Sequence, residues 1–379
     1  MGNRTPSRDT YEEAKSTYVP DSGPATARAE QQARRTGKLH PLVDPAEFGV
    51  IRPSHMRMKQ LLNGLWSVNV GTPLPRQRRV DTTASMGNNV DVVLGVLQDA
   101  YELAMQVLPV GYDLQEANEI FGDIQDRFVL CRSQFEMLSE RIVEQLTLMV
   151  PERDGGDVPE DPHYGLFGAA YLTDAYINRI GLKGYDFTVS DAEARYELEA
   201  RHLRRIFGDQ VFDKTKENGY DIDPRHLPST KEVVRELAKR SHYFFLQIKS
   251  SSQATRFWTD VFGSERVVLV PDAKYVPHIE AVIMGLTEGT LSLSDVTPFL
   301  MKNGVDRNDA QRIVRAVGHI PIGAQAALPN VARRPKAGDL FREKPVGTQT
   351  SPWPLTPEEI AAFNLDSSAE QDEGEISWV

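Results

Sequence analysis

The chain has 379 residues and a formal net charge of −11, with 40% hydrophobic and 26% charged residues. This length fits one large or two modest domains, and the composition supports a folded core with some segments outside it. A single cysteine excludes an internal disulfide framework and fits a reducing compartment. No apolar run approaches the roughly 18 residues of a membrane span. We therefore expect a cytoplasmic protein with no membrane contact, and its acidic balance argues against a dedicated nucleic-acid binder.

The two ends of the chain differ in composition from its middle. Residues 1–45 are rich in Arg, Ser, Thr, Pro and Ala, which predicts a flexible N-terminal arm. Residues 331–379 consist of a basic linker and a tail, which has seven acidic side chains and no Lys or Arg after residue 350. Such a composition predicts disorder. The tail also contains apolar residues that we interpret as anchors for a partner or for the chain's own body: Trp353, Leu355, Ile360, Phe363 and Trp378.

Between these ends, helical and extended patterns alternate. Helices are predicted at 89–108, 135–149, 163–180, 231–240, 255–262 and 276–286. Short apolar runs predict strands at 185–190, 243–248 and 266–270. The alternation predicts an α/β fold, with a Rossmann-like, doubly wound and mostly parallel sheet flanked by helices. We assign residues 46–290 to this domain and residues 291–330 to a small helical appendage.

The first candidate site lies in the segment DTTASMG. Asp81, Thr83 and Ser85 offer oxygen atoms at positions i, i+2 and i+4 of a loop that leads into the first strong helix. Hard oxygen ligands at this spacing suit Mg²⁺, and also Mn²⁺ or Ca²⁺. The same pattern fits an ordinary Asx turn or Ser/Thr helix-capping turn. The segment by itself leaves both interpretations open.

Two later segments favour the metal interpretation. The segment GGDVPE contributes Asp157 and Glu160, and Asp191 follows the strand predicted at 185–190. Ligands of open α/β sheets gather outside the carboxyl ends of the strands, so loops after different strands can bring these carboxylates to the Asp81 loop. The sequence therefore predicts one metal site built from three loops.

At these residues the chain resembles the von Willebrand factor type A (VWA) family and its metal-ion-dependent adhesion site. The D-x-[ST]-x-S element of that site is matched by Asp81, Thr83 and Ser85. The stretch GGDVPEDPHYGLFGAAYL resembles the G-x-D-x-P-E loop and helix of integrin β-type and bacterial VWA domains. The resemblance implies that Glu160 is a ligand or lies just behind the ligands.

The resemblance covers residues 75–290 and has consequences for function. By analogy, Asp157 takes the position of a threonine ligand or serves a neighbouring cation, and Asp191 matches the acid after the fourth strand. A non-enzymatic protein-interaction module is implied, in which Mg²⁺ accepts an Asp or Glu carboxylate from a partner. Similarity to intracellular bacterial members suggests a multi-component complex, with an AAA+ ATPase of the MoxR type or an effector assembly as the partner.

Some residues depart from the family pattern or are interpreted as structural. The segment PLPRQRR before Asp81 is far more basic than the family's apolar central strand, so we expect that strand to be short, with Val80 as its obvious buried residue. Asp123 is interpreted as a solvated turn residue or a neighbour of Arg127. His163 is interpreted as a surface or capping histidine.

Two alternative functions stay open. A Mg²⁺-dependent phosphohydrolase would use the same carboxylates to position phosphate and water. Against it, residue 83 is a threonine where aspartate-nucleophile phosphatases need a second carboxylate, and no lysine is evident beside the site. A structural assembly subunit would keep the metal site only as a vestige.

Overall fold

The computed structural model describes residues 13, 16, 26–52, 56–60, 66–70, 72–109, 112–137, 139–153, 159–175, 177–178, 181–328 and 342–345. Asp157 and the five anchor residues of the tail lie outside the described residues, so the predictions made for them stay predictions.

The described residues form nine strands and twelve α-helices. The strands are β1 (Met56–Gln60), β2 (Trp66–Val70), β3 (Thr72–Asp81), β4 (Tyr112–Phe121), β5 (Leu130–Arg132), β6 (Gly184–Ser190), β7 (Ser241–Ile248), β8 (Val267–Val270) and β9 (Arg342–Pro345). The helices are α1 (Ala27–Thr36), α2 (Asn89–Val96), α3 (Ala100–Met105), α4 (Ser139–Thr147), α5 (Pro162–Tyr171), α6 (Ala200–Phe207), α7 (Val211–Glu217), α8 (Thr230–Leu237), α9 (Ser252–Phe262), α10 (Val276–Glu288), α11 (Leu293–Lys302) and α12 (Arg307–Val317).

Six strands form one sheet in the order β5-β4-β3-β6-β7-β8. All neighbours in this sheet pair in parallel except β5, which is antiparallel to β4. The strands β1, β2 and β9 form a separate antiparallel sheet. The predicted α/β fold with a mostly parallel sheet is confirmed. Because β3 and β6 are parallel neighbours, the loops after them leave the sheet side by side at its carboxyl edge.

Helices cover both faces of the six-stranded sheet. One buried cluster packs β3, β6 and β7 against α2, α10, α11 and α12, and the other joins α5, α6, α8 and α9 to Phe245. Leu300 on α11 and Ile313 on α12 belong to the first cluster, so the predicted helical appendage packs on the sheet. None of the helices in the described ranges is long and apolar enough to cross a bilayer.

Long-range backbone pairing shortens two of the predicted helices. The helix predicted at 163–180 ends at Tyr171, because Ile51 donates to the carbonyl of Leu172 and accepts from Asp174, both at 2.9 Å. The helix predicted at 135–149 begins only at Ser139, because the backbone of Glu136 pairs with β4. Part of the predicted flexible arm, residues 27–36, is helical and buries Ala33. The predicted domain limits themselves stay predictions.

The expectation of a short, doubtful strand before Asp81 is wrong, because β3 has ten residues and lies inside the sheet. Its arginines are buried rather than solvated. On one face, Arg76 contacts Glu116, and Nε of Arg78 donates to Oε1 of Glu280 on α10 at 2.7 Å. These four side chains carry two positive and two negative charges, so the face is neutral in its interior. Neutralisation by acids from β4 and α10 allows a basic strand to be buried.

The opposite face of β3 holds a second buried network around Arg79. Its Nε donates to Glu119 at 2.8 Å, and its Nη1 lies 3.1 Å from Asp186 on β6. Nε of Arg132 lies 3.1 Å from the other oxygen of Glu119, so this network is also neutral. Helix α5 passes over the network at Gly165, where an added Cβ would lie 2.4 Å from Nε of Arg79. A residue without a side chain is therefore required there.

Candidate functional site

Asp81 is the last residue of β3 and is completely buried. Its Oδ1 accepts hydrogen bonds from the backbone N–H and the Oγ1 of Thr83, at 2.8 and 2.7 Å. Its Oδ2 accepts a hydrogen bond of 2.5 Å from Ser190, the last residue of β6. The N-cap of α2 is Asn88, which makes no side-chain cap bond. The bond from the Thr83 N–H to Asp81 is an Asx turn, as the non-metal interpretation of this loop predicts, although Asn88 does not cap α2, and Ser190 ties the loop to the neighbouring strand.

Asp191, directly after β6, reaches the same loop. Oγ of Ser85 donates to its Oδ1 at 2.6 Å, and Oγ of Ser85 lies 3.2 Å from Oγ1 of Thr83. Thr83 therefore donates its hydroxyl proton to Asp81 and Ser85 donates its own to Asp191, and the two hydroxyl oxygens lie in contact, so the four residues are adjacent although 106 residues separate Ser85 from Asp191. The convergence expected from the sheet topology is present for these four residues. Their role as metal ligands stays a prediction.

Glu160 comes from a third loop, just before α5. Its backbone N–H donates to the carbonyl of Glu193 at 2.9 Å, which anchors it to the segment after Asp191. The side chain is buried, and its Oε2 has no hydrogen-bond partner among the residues that the structure describes. Burial raises the pKa of Glu160 to about 9, the charge of Asp81 acts in the same direction, and a hydrogen bond with Thr83 opposes them. Glu160 therefore lies close to the Asp81 loop with an unsatisfied oxygen.

The acids of the site lack sufficient positive charge to balance them. Burial raises the pKa of Asp81 to about 6, although hydrogen bonds from Ser190 and Thr83 favour its charged form, and the charge of Asp191 raises the pKa further. A buried carboxylate without a counter-charge is costly, and a cation would relieve that cost.

The donor set fits a hard cation. It consists of hydroxyl and carboxylate oxygens, which are the donors that Mg²⁺ and Ca²⁺ prefer, and the unpartnered oxygen of Glu160 is available as well. Within the described ranges, no group of three or more His, Cys, Asp or Glu side chains is arranged to hold a metal. The hydroxyls of Thr83 and Ser85 are consequently essential to the fit, since the carboxylates do not form such a group by themselves.

Sequence reasoning missed Lys249, which follows β7. Its Nζ lies 3.1 Å from Oδ2 of Asp191 and also contacts the carbonyl oxygen of Ser85. Its φ of 62° is in the left-handed region, which is uncommon for a residue with a side chain. The expectation that no lysine lies beside the site is therefore wrong. The rule that selected Asp191, a polar residue directly after a predicted parallel strand, also selects Lys249.

Two interpretations of nearby residues are corrected. Asp123 is fully buried, and its Oδ2 lies 3.7 Å from Nη2 of Arg195. His163 is also fully buried, and burial lowers its pKa to about 3. Asp161, between Glu160 and His163, pairs with Nη1 of Arg195 at 2.6 Å. These buried polar residues lie beside Glu160 in the protein interior. They do not form a solvated turn.

The sequence matches no protein-family model and no curated protein. Solved structures similar to this chain include the von Willebrand factor domain of the type V pili tip protein Mfa5 from Porphyromonas gingivalis, with 10% identity and a TM-score of 0.36; the match covers 57% of this chain and 95% of that one. A von Willebrand factor type A protein from Catenulispora acidiphila has 11% identity and a TM-score of 0.31, over 59% of this chain and 45% of that one.

A third similar structure is proximal thread matrix protein 1 from the mussel byssus, determined with a zinc-occupied MIDAS motif. It has 12% identity and a TM-score of 0.37, over 57% of this chain and 46% of that one. The match thus spans less than half of the mussel and Catenulispora chains. The predicted resemblance to VWA domains is confirmed. The order and pairing of the strands in the six-stranded sheet define the fold.

Proposed function

We propose that this chain is a protein-interaction module in which a divalent cation joins the Asp81 loop to a carboxylate of a partner protein. The supporting observation is the meeting of three loops at one edge of the sheet, marked by the 2.6 Å hydrogen bond from Ser85 to Asp191. Glu160 adds a buried oxygen without a partner in the described part of the chain. Buried acids with this little compensation favour the binding of a cation.

Each residue has a distinct part in this proposal. Asp81, Thr83, Ser85 and Glu160 would hold the cation, Mg²⁺ in the first instance and otherwise Mn²⁺ or Ca²⁺. Asp191 would orient Ser85 through their hydrogen bond. When bound, the cation supplies an open coordination position for an external carboxylate, because hydroxyl ligands leave part of its charge unneutralised.

The proposed partner is a protein that presents an Asp or Glu side chain. The sequence resemblance suggests a multi-component bacterial complex in the cytoplasm, with an AAA+ ATPase of the MoxR type or an effector assembly as the other component. In this proposal the chain performs no chemistry of its own.

Metal-dependent capture tests the proposal. We expect immobilised full-length protein to retain a partner in Mg²⁺ and to release it in EDTA, and we expect Asp81→Ala to retain none. Asp209→Ala, which changes an exposed acid outside the site, is the matched control and should behave like the unmodified chain. Capture that survives both EDTA and Asp81→Ala would contradict the adhesion mechanism.

Lys249 supports a second candidate, a Mg²⁺-dependent phosphohydrolase. An ammonium beside Asp191 and Ser85 is suited to a phosphate oxygen, and this removes one of the two sequence arguments against such an enzyme. The threonine at position 83 remains against it. Release of phosphate from p-nitrophenyl phosphate that requires Mg²⁺ and is lost in Asp81→Ala would favour the enzyme. A chain that neither binds Mg²⁺ nor releases phosphate would favour the assembly subunit with a vestigial site.

A further inference from the structure

An open groove of about 710 Å³ lies next to the candidate metal site. It is bounded by the residues after β7, by the end of β8 and by helix α12. Lys249 lines the groove and also contacts Asp191 and Ser85. Groove and metal site therefore share one wall, and a ligand that reaches the metal site can continue along α12.

The lining of the groove is positively charged. Arg312 and Arg315 are exposed on α12, three residues apart and hence on one side of the helix. Together with Lys249 they provide three basic groups, of which Lys249 pairs with Asp191 and Arg312 pairs with Oδ1 of Asp309 at 2.9 Å, so a peptide acid would compete with these exposed pairs. Asp272 is the acidic residue of the described lining, and its Oδ2 lies 3.4 Å from Nζ of Lys274, which offsets its charge.

The groove also has an apolar side. Leu269 on β8 is 48% exposed, which is unusual for a large apolar side chain within a strand. The strand β8 is the last of the six-stranded sheet, so Leu269 lies at the sheet's margin, close to the basic residues of α12. Contact with both kinds of surface requires a ligand that combines acidic groups with an apolar side chain.

We propose that this groove binds an extended acidic peptide of the partner protein. One carboxylate of the peptide would reach the metal site, an apolar residue would pack on Leu269, and a further acid would pair with Arg312 and Arg315. The first contact rests on the proposed function, whereas the other two stand on the groove itself. The arginines thus select partner peptides that contain further acidic residues besides the one that binds the metal.

Two synthetic peptides of equal length test this inference. One contains several Glu residues and a Leu, and the other keeps the Leu and a single Glu, with Gln in place of the remaining Glu residues. In Mg²⁺, we expect the acid-rich peptide to bind the full-length protein about fivefold to tenfold more tightly by fluorescence anisotropy, since each exposed ion pair contributes modestly. The double variant Arg312→Glu and Arg315→Glu should remove this preference. The control Arg307→Glu, on the same helix but outside the groove, should keep it.

The outcomes separate this inference from the proposed function. Equal binding of the two peptides, both abolished by EDTA, would overturn the groove and leave the metal mechanism intact. Preference for the acid-rich peptide that persists in EDTA and is lost in the double variant would support the groove and contradict the metal mechanism. Failure of both peptides to bind both the unmodified chain and the chain with a neutralised tail, which is described next, would contradict both.

The chain's own acidic tail is the competing occupant. The same titration is therefore repeated on a full-length chain whose seven acids after residue 350 are changed to their amides. Equal affinity for the two forms of the protein supports a partner peptide. Binding seen only with the neutralised tail would show that the groove belongs to the tail, and it would overturn the proposal of a partner peptide.

Discussion

Strand β3 carries two groups of buried charged side chains that differ in how their charges are balanced. In its middle, Arg76, Arg78 and Arg79 each lie against a carboxylate from a neighbouring element. At its carboxyl end, Asp81 is equally buried, yet its described hydrogen-bond partners are the uncharged groups of Thr83 and Ser190. Burial of charge therefore does not by itself identify a functional site. An acid whose charge is left uncompensated is the more informative signal.

The pKa directions express the same difference. Burial acts to lower the pKa of Arg79, but the charges of Asp186 and Glu119 outweigh it and raise the pKa. For Asp81, burial dominates and raises the pKa to about 6. The carboxylates in the middle of the strand thus stabilise the charge of Arg79, although burial still raises the pKa of Glu119 and lowers that of Arg132, whereas at Asp81 the charge of Asp191 adds to the penalty of burial. This contrast leads to four predictions.

The largest expected effect comes from breaking the balanced network. Replacing Arg79 by Ala leaves Glu119 and Asp186 buried with less positive charge, so we expect the free energy of unfolding to fall by about 3–5 kcal/mol in urea titrations. The control Arg201→Ala removes an exposed arginine 2.8 Å from Glu199 and should cost less than about 1 kcal/mol. Similar losses in the two variants would show that the buried network contributes no more than a surface pair.

The carboxyl end of β3, where the charge of Asp81 is not balanced, should respond to substitution in the opposite way. Without metal, Asp81→Asn removes an uncompensated buried charge, so we expect no loss in the free energy of unfolding. With Mg²⁺ at about 100 times its Kd, the unmodified chain should gain about 2.7 kcal/mol and the variant nothing. Urea titrations in EDTA and in Mg²⁺ measure both quantities, with Asp209→Asn as the control that keeps the gain. A loss of several kcal/mol for Asp81→Asn in EDTA would show that Asp81 stabilises the fold, as the buried arginines of β3 do.

Gly165 tests how closely the balanced network is packed. An alanine there would place its Cβ 2.6 Å from Oε2 of Glu119, so we expect Gly165→Ala to lower the free energy of unfolding by about 1–3 kcal/mol. Gly95 in α2 is the matched control, because no heavy atom lies within 4 Å of the position of its added Cβ. Alanine normally favours a helix, so Gly95→Ala should raise stability by up to about 1 kcal/mol. The same sign for both substitutions would contradict the close packing over Arg79.

The smallest effect concerns the lysine beside the site. The ammonium of Lys249 would repel a divalent cation bound near Asp191, so we expect Lys249→Met to bind Mg²⁺ about fivefold more tightly in calorimetry, or by about 1 kcal/mol. Lys239→Met, an exposed lysine that pairs with Glu236, should leave the affinity unchanged. Weaker Mg²⁺ binding by Lys249→Met would instead mean that this lysine holds the Asp191 loop in place.

Part of the fold was predictable because its signals are local. The strands predicted at 185–190, 243–248 and 266–270 correspond to β6, β7 and β8 within two residues, since each is a short apolar run between helices. The strand β3 was expected to be short, and its length of ten residues was missed, because its segment is far more basic than an apolar central strand. The acids that neutralise them are 40 residues away at Glu116 and 202 residues away at Glu280.

Local sequence patterns predict the alternation that produces a parallel sheet, and they identify the polar residues that follow strands. These are properties of short segments, and they were sufficient to bring Asp81, Thr83, Ser85 and Asp191 to one edge. The three-dimensional packing shows that Glu160 has an oxygen without a partner among the described residues, that Lys249 lies against Asp191, and that the charges inside β3 are balanced. The reason is physical, because charge compensation depends on distances between side chains far apart in the chain, which no local pattern specifies.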